Sequence, residues 1–491
     1  MTEVDISEVA TSPIGRFNTA AEPLHRVLDV FTRVDESRLR TMGSPKITLI
    51  GAGGLSFGPT MVNDVIHTPA LAGSRLMLHD VNAQRLQRAY RFAAKLNAGK
   101  GAPVILEYST DPAAALEGAD FCLSSAEFGR FEYWRQDYEI PRRYGATQVN
   151  GENGGPGAVF HSLRSIKNTL SICADIEKHC PNTFLLNLSN PMSRVTLAIN
   201  EGTRVKNVGM CHEMPIGIHR LGRLLRIRPA DIEAKASGIN HFTFFTEFRH
   251  ARTGEDLIPR IKAMFARKIF DFGPFTTALT RAVAGRPVLG MLGDQLYAPL
   301  VAHMVRTYGI IPCSVDSHIG EYLPFAHEIG GFHPAHVEQF ERIDRFIEQL
   351  TTWVADTRIP LPTRRLGHSL EEVVPIVEAM WTGQPAPIMA VNVPNRGFIP
   401  NVAEGAIVEV GATADADGIH PDTMPPIIEP IAGYIATQIE LQNLIVRSAL
   451  TGDKDLALRA VIEDPASPRD EAACRGMFDE LVERQASELP F

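Results

Sequence analysis

A short apolar run, Lys46-Ile-Thr-Leu-Ile50, leads straight into Gly51-Ala-Gly-Gly54, and no other segment limits the fold as strongly. A continuous apolar run of this length next to glycine has the character of a parallel strand buried on both faces. Thr60 to His67 suits a helix, and Ser74-Arg-Leu-Met-Leu-His-Asp80 reads as a second strand ending in an acid. Strand, glycine turn, helix and strand in that order predict a βαβ unit. Such a turn lets backbone N–H groups approach a pyrophosphate at the positive end of the helix, a task for Gly51, Gly53 and Gly54. Asp80 is placed to accept hydrogen bonds from both ribose hydroxyls. Its charge would repel the additional phosphate of NADP, so NAD is the expected dinucleotide. Ser56 stands where the usual fingerprint has its third glycine. The alternative is a purely structural turn with Asp80 as a helix N-cap; the order of the elements favours the nucleotide reading.

The alternation continues. Ala89 to Asn97 is predicted helical and Val104 to Tyr108 extended, while Asp120 to Ser125, Thr183 to Ser189 and Asn207 to Met210 are predicted strands. These elements predict an α/β fold, with a Rossmann-type doubly wound parallel sheet over residues 45–229. Near residue 230 the pattern changes. Asn240 to Phe248 reads as an antiparallel stretch, Ile388 to Val393 and Ala406 to Val410 as an extended pair, and Pro425 to Leu450 and Leu456 to Val461 as helices. A mixed α+β, mainly helical C-terminal domain over 230–491 is expected, in an architecture like that of lactate and malate dehydrogenases. Residues 1–44, with an amphipathic piece around Leu24 to Phe31, are read as an appended extension.

Charge narrows the class further. The 491 residues carry 57 acidic and 48 basic side chains, a formal balance of −9, with no long Lys/Arg run, which argues against a nucleic-acid partner. No stretch approaches the ~18 apolar residues that span a membrane, and the acidic N-terminus is unlike a secretory signal. Six scattered cysteines make no paired zinc motif and suit a reducing compartment, so the cytoplasm is expected.

Cys211-His-Glu-Met-Pro-Ile-Gly217 follows the strand ending at Met210, which puts Cys211 and His212 at the carboxyl edge of the sheet, where open α/β folds bind ligands. Gly238-Ile-Asn-His241 comes further on. A thiolate and an imidazole suit a divalent transition ion. Taken alone, the pair is better read as independent core residues. Its context is Gly51-Ala-Gly-Gly54, Asp80, Asn150-Gly-Glu-Asn-Gly-Gly-Pro-Gly157, Asn190-Pro191, Cys211-His212, Asn240-His241 and Leu450-Thr-Gly-Asp-Lys-Asp-Leu-Ala457. From about Lys46 to Pro465 this set, in this order, resembles glycoside hydrolase family 4.

That resemblance implies a glycosidase using NAD and a divalent metal, usually manganese, in place of the two-carboxylate mechanism of most glycosidases. In the chemistry it implies, NAD takes a hydride from C3 of the sugar and the ketone acidifies the C2 proton. The metal stabilises the enediolate, a base removes that proton, the C1 group is eliminated, water adds and the hydride returns. Residue by residue, the resemblance implies Cys211 and His241 as metal ligands and His212 as general acid. Asn153 and Asn190 would hold substrate hydroxyls, Asn190 also bordering the nucleotide. His318, in His318-Ile-Gly-Glu-Tyr322, would reach substrate or metal, or be a satisfied loop histidine. Asp294, in Gly293-Asp-Gln-Leu-Tyr297, is the favoured C2 base, with Tyr297 its competitor and a helix cap the structural alternative. Asn395-Arg-Gly-Phe398 and Asn401 are assigned to packing or subunit contact. The implied assembly is a homodimer or homotetramer whose partner is a small-molecule glycoside.

His212 after the cysteine resembles branches acting on unphosphorylated sugars. Glu213 is similar to the Cys-His-Glu-Val pattern of α-galacturonidases, with Met214 in place of valine. An acidic sugar is therefore expected, and its buried charge needs a cation. Arg130, Arg135 and Arg396 are candidates, each more readily read as a surface residue. NAD-dependent sulfoquinovosidases and neutral α-glucosidases or α-galactosidases of the same type are alternatives. A plain NAD-dependent 2-hydroxy-acid dehydrogenase, or a non-catalytic NAD-binding regulator, would share the nucleotide fold but need no Cys211, His212, Asn240 and His241 set.

Overall fold

Runs of four or five residues too apolar to face water build the centre of the molecule. The computed structural model describes residues 43–55, 57–267, 298–330, 336–357 and 369–491. Strands β1 (Lys46–Ile50), β2 (Arg75–His79), β3 (Ile105–Ser109), β4 (Phe121–Ser124), β5 (Phe184–Asn187) and β6 (Lys206–Gly209) are parallel. Their spatial order is β3-β2-β1-β4-β5-β6, the doubly wound order that reverses between β1 and β4. β1 and β4 are buried along their whole length. The Rossmann-type expectation is met, with element ends shifted. The helix expected from Ala89 begins at Ala83, because the Asn82 side chain accepts from the N–H groups of Gln84 (3.1 Å) and Arg85 (3.0 Å) and caps it there.

Two glycines shape the first turn. Gly51 has φ +79°, and a Cβ there would lie 2.9 Å from the Ala126 Cα. Gly58 opens the helix Gly58–His67, where a Cβ would lie 2.7 Å from the Ala52 carbonyl oxygen. Gly58 thus makes the close helix-to-turn approach that the third glycine of such a fingerprint usually makes.

The second half of the sheet is antiparallel. It comprises β7 (Ile232–Ile239), β8 (Phe242–His250), β9 (Ile311–Pro312), β10 (Ala386–Pro394), β11 (Ile407–Asp415) and β12 (Gly418–Pro421). The order is β10-β11-β7-β8-β9, with β12 on β11, and β10 joins β6 where Asn392 stands opposite Gly209. Among the described residues one mixed sheet of twelve strands results. The stretch expected from Asn240 to Phe248 is in fact one arm of a hairpin whose two-residue turn is Asn240-His241. In its other arm, β7, the buried residues before the terminal Ile239 are small, Ala236, Ser237 and Gly238, and carry little hydrophobic signal.

The C-terminal helices Ile431–Thr451, Lys454–Glu463 and Glu471–Gln485 return to the first half. The first of them starts after Pro430 rather than at Pro425. Leu441, Ile445, Phe478 and Leu481 share a core with Phe160, Leu163 and Ile166 of the long helix Pro156–His179 and with Val195. No described helix is long and apolar enough to cross a membrane. The extension expected over residues 1–44 lies outside the described residues except for Gly43 and Ser44.

Candidate active site

The turn after β1 is laced to the end of β2. The N–H groups of Gly51 and Ala52 donate to the His79 carbonyl at 2.9 and 3.0 Å, and Gly54 N–H donates to the Gly51 carbonyl at 2.9 Å. Asp80 Oδ2 accepts from Gly53 N–H (2.9 Å) and Oδ1 from Asn82 N–H (2.8 Å). Gly51, Gly53, Gly54 and Asp80 therefore meet, and the helix cap is Asn82 rather than Asp80. A shallow recess lies against this turn, bordered by Gly53, Gly54, Gly58 and Arg88.

At the carboxyl edge, Met210 to Glu213 leave β6 and enter the helix Glu213–Leu225. His212 Nδ1 contacts Glu371 Oε1 closely. Burial alone would lower the His212 pKa, but the hydrogen bond and charge of Glu371, with Glu213 nearby, outweigh it and raise it. Because Glu371 occupies Nδ1, only Nε2 remains to exchange a proton with a substrate.

Glu213 is buried beside His318, whose Nδ1 lies 2.8 Å from Glu213 Oε1. The rings of His241 and His318 stack at 4.3 Å with an interplanar angle of 11°. One ligand atom each from Glu213, His241 and His318 lie within 4.8 Å of one another. Glu213 Oε2 is buried and has no hydrogen-bond partner, as a vacant metal-ligand atom would be. Burial would raise the Glu213 pKa, yet the His318 charge and hydrogen bond pull it far below the carboxylate range. Burial and the neighbouring His318 bring His241 down to about 4, so its imidazole is neutral at pH 7. His318 is lifted to about 9, its burial outweighed by Glu213.

Cys211, expected as a ligand with His241, is half-buried and is not a member of that trio; burial and the charges of Glu409, Glu213 and Glu371 push its thiol well up. Asn153 is a member of the surrounding shell: its Nδ2 is 3.2 Å from His241 Nδ1 and 3.3 Å from Glu321 Oε2. Glu321 Oε1 also accepts the N–H groups of Glu152 (2.7 Å) and Asn153 (2.9 Å). Burial and the Glu152 charge lift Glu321 to about 7. Asn190, at the end of β5, donates to Glu152 Oε1 at 3.3 Å. His241 has φ +63°, a conformation that costs a non-glycine residue about 1–3 kcal/mol and persists only where the surroundings enforce it. Asp294 and Tyr297 lie outside the described residues.

A cleft adjoins Glu152 and is bordered by Phe128, Arg130, Trp134, Arg164 and Asn168. Arg130 is paired with Glu127 (3.3 Å) and Asp344 (3.5 Å), and Arg164 with Asp137. Arg135 pairs with Glu338 and Glu341, and Arg396 is exposed. Asn395 Nδ2 donates to the carbonyls of Ile399 and Val402, bracing its own loop.

The parallel half, its glycine turn and this carboxylate–imidazole cluster define a Rossmann-type α/β protein with a polar, metal-competent site at the ligand-binding edge. The profile described as Family 4 glycosyl hydrolase matches residues 46–226, and that of the Family 4 glycosyl hydrolase C-terminal domain matches residues 236–467. The chain belongs to glycoside hydrolase family 4 and is an enzyme of that family. It is 32% identical to an alpha-glucosidase of Erwinia rhapontici over 90% of this chain and 98% of that one. It is 28% identical to an alpha-galactosidase of Bacillus subtilis (86% and 93% covered) and 26% identical to an alpha-galacturonidase of Thermoanaerobacter italicus (86% and 91%). A 6-phospho-alpha-glucosidase from gut microorganisms, solved in complex with NAD and Mn2+, superimposes with a TM-score of 0.76 at 21% identity, over 91% of this chain and 99% of that one.

Proposed function

We propose that this protein hydrolyses O-glycosidic bonds of an unphosphorylated hexoside with the help of NAD and a divalent metal, preferably Mn2+. The carrying observation is the convergence of Glu213, His241 and His318 on one point at the carboxyl edge of a sheet whose first turn presents Gly51, Gly53, Gly54 and Asp80. When bound, the dinucleotide supplies reversible oxidation at C3 of the sugar and the metal supplies polarisation of the neighbouring oxygens. The glycine turn and Asp80 bind and orient the dinucleotide, with Asn190 on its border. Glu213, His241 and His318 would hold the metal, and Cys211, two residues before Glu213, is the candidate fourth ligand. Asn153 and Asn190 align sugar hydroxyls. His212, steadied at Nδ1 by Glu371, delivers a proton from Nε2 to the departing oxygen. Asp294, or Tyr297 in its place, removes the C2 proton.

A neutral sugar is the first reading. Arg130 and Arg164, the described arginines bordering the cavity, already face carboxylates, and the alpha-glucosidase relative stands at 32% identity. An acidic sugar is the second, supported by Cys211-His212-Glu213 and the alpha-galacturonidase relative. Residues 45–229 would serve the nucleotide and 230–491 the substrate, metal and subunit contacts of a homodimer or homotetramer in the cytoplasm, where six free cysteines stay reduced.

The test is a panel of α-glucoside, α-galactoside, galacturonide, glucuronide and sulfoquinovoside substrates, assayed with NAD and Mn2+ under reducing conditions. Release of the aglycone, slowed by deuterium at C2 or C3, with no net NADH, is expected. Net NADH without aglycone release would reassign the chain to dehydrogenase chemistry.

A further inference from the structure

We propose that Glu409, paired with Asn392, is a positioning residue that ties the turn carrying His241 to the strand delivering Cys211, His212 and Glu213. The inference rests on the metal role proposed above for His241. Gly209 on β6, Asn392 on β10, Glu409 on β11 and Gly238 on β7 stand opposite one another in a row across the sheet. This row crosses the seam between the parallel and antiparallel halves. Asn392 Nδ2 donates to Glu409 Oε2 at 3.0 Å and lies 3.5 Å from the Gly209 carbonyl oxygen, two residues before Cys211.

The same carboxylate reaches the other side. Its Oε2 accepts from Asn240 Nδ2 at 2.9 Å, and its Oε1 lies 2.8 Å from the Thr243 hydroxyl, which also lies 2.9 Å from the Ile239 carbonyl oxygen. Asn240 and Thr243 flank His241, and the Tyr322 hydroxyl adds a hydrogen bond to the Asn240 carbonyl at 2.9 Å. Hairpin turns of two residues place Gly, Asn or Asp where φ is positive. A histidine at φ +63° therefore needs its backbone enforced from both flanks, and Glu409 is the group that touches both.

Glu409 is 1% exposed, and all three of these hydrogen-bonding groups are neutral. A buried carboxylate without a cation is costly at the centre of a sheet, where an apolar side chain would pack readily. Its presence is explained by what it orients. Asn153 is the group at the His241 ring, and Glu409 holds the backbone that carries it; removal of such supporting groups typically weakens metal binding about 10–100-fold.

The experiment measures Mn2+ binding to the full chain by electron paramagnetic resonance and NAD binding by fluorescence titration on the same samples. Glu409→Gln preserves volume but removes the charge and leaves a single acceptor oxygen where Asn240, Asn392 and Thr243 had two. It is expected to weaken Mn2+ binding about 10–100-fold and leave NAD affinity unchanged. Should that variant fail to fold, Thr243→Val and Thr243→Ser form the second arm: loss of Mn2+ affinity in the first and its rescue by the hydroxyl of the second are expected. Parental Mn2+ affinity in Glu409→Gln, or in Thr243→Val, overturns the inference, as does a parallel loss of NAD affinity. No Mn2+ binding by the unaltered chain would instead strike the metal assignment beneath it.

Discussion

Acidification should weaken Mn2+ binding steeply, and the slope follows from one proton. His318 Nδ1 sits 2.8 Å from Glu213 Oε1; burial works against its charged form, but the carboxylate prevails and holds the proton up to about pH 9. An unperturbed imidazole releases it near 6.5. A metal that engages both side chains must displace this proton. His241, brought to about 4, has none to lose at neutral pH. Displacing at pH 7 a proton bound with a pKa of about 9 costs about 2.7 kcal/mol, a factor of about 100 in affinity. The apparent Kd should thus rise about tenfold for each pH unit between 8.5 and 6 with His318 alone, and about a hundredfold if the Cys211 thiol must also give up its proton. Titration calorimetry in two buffers of different ionisation enthalpy should count one proton released per ion, or two if Cys211, whose thiol is also held protonated, joins as a ligand. His318→Gln should bind more weakly but without this slope. Affinity that is constant from pH 6 to 8, or binding without proton release, would refute the reasoning. For the metal-free fold the sign is opposite. A histidine pKa raised on folding contributes stability that is complete below about pH 6.5 and is lost as pH rises through about 9.

Other perturbations have equally definite outcomes. Asp80→Ala removes the acceptor of the Gly53 and Asn82 N–H groups together with its charge; NAD affinity should fall about 10–100-fold and the preference over NADP should shrink, read by fluorescence titration. Glu371→Gln removes the charge that raises the His212 pKa, so the alkaline limb of kcat for an alkyl glycoside should move to lower pH. A nitrophenyl glycoside, whose leaving group needs no proton, should be indifferent. Asp137→Ala strands the buried Arg164 guanidinium, whose side chain is 6% exposed, and should lower unfolding free energy by about 3–5 kcal/mol in denaturant titration; a loss below about 1 kcal/mol would discount the pair.

How far the sequence reaches depends on how local each signal is. β1, the glycine turn, β2 and Asp80 occur within one continuous segment, and every link of that argument is between neighbours. β7 escaped because the buried residues before its terminal Ile239 are the small Ala236, Ser237 and Gly238, so no apolar run marks it, and Asn240-His241 was consequently placed in a strand instead of a turn. Within the site, Glu213 was legible only as a marker of sugar type; its role beside His318 depends on a partner 105 residues away. Glu371 and Glu409 carried no signal at all, since the groups they orient, His212 and Asn240, are separated from them by 159 and 169 residues. Periodicity reports which face of an element is buried, whereas these pairings are set by how the sheet brings distant strands together.

The distribution of charge links cofactor, metal and substrate. Glu213, Glu321, Glu371 and Glu409 are all buried at or around this edge, with Glu152 alongside. Like charges in a poorly solvated space raise one another's pKa, as Glu152 does for Glu321. Glu213 escapes this chiefly through the charge and hydrogen bond of His318, with smaller help from His241 and His212. Exchanging the His318 proton for a divalent ion keeps Glu213 ionised and adds a further positive charge, at the place where oxidation of a sugar would generate an enediolate. A sugar carboxylate entering the same space would meet the remaining acids, and the described arginines at the adjoining cavity are already matched to Glu127, Asp344 and Asp137. Among the described residues, the surplus of acids at this edge suits a cation better than an anionic sugar, which supports the neutral-sugar reading proposed above.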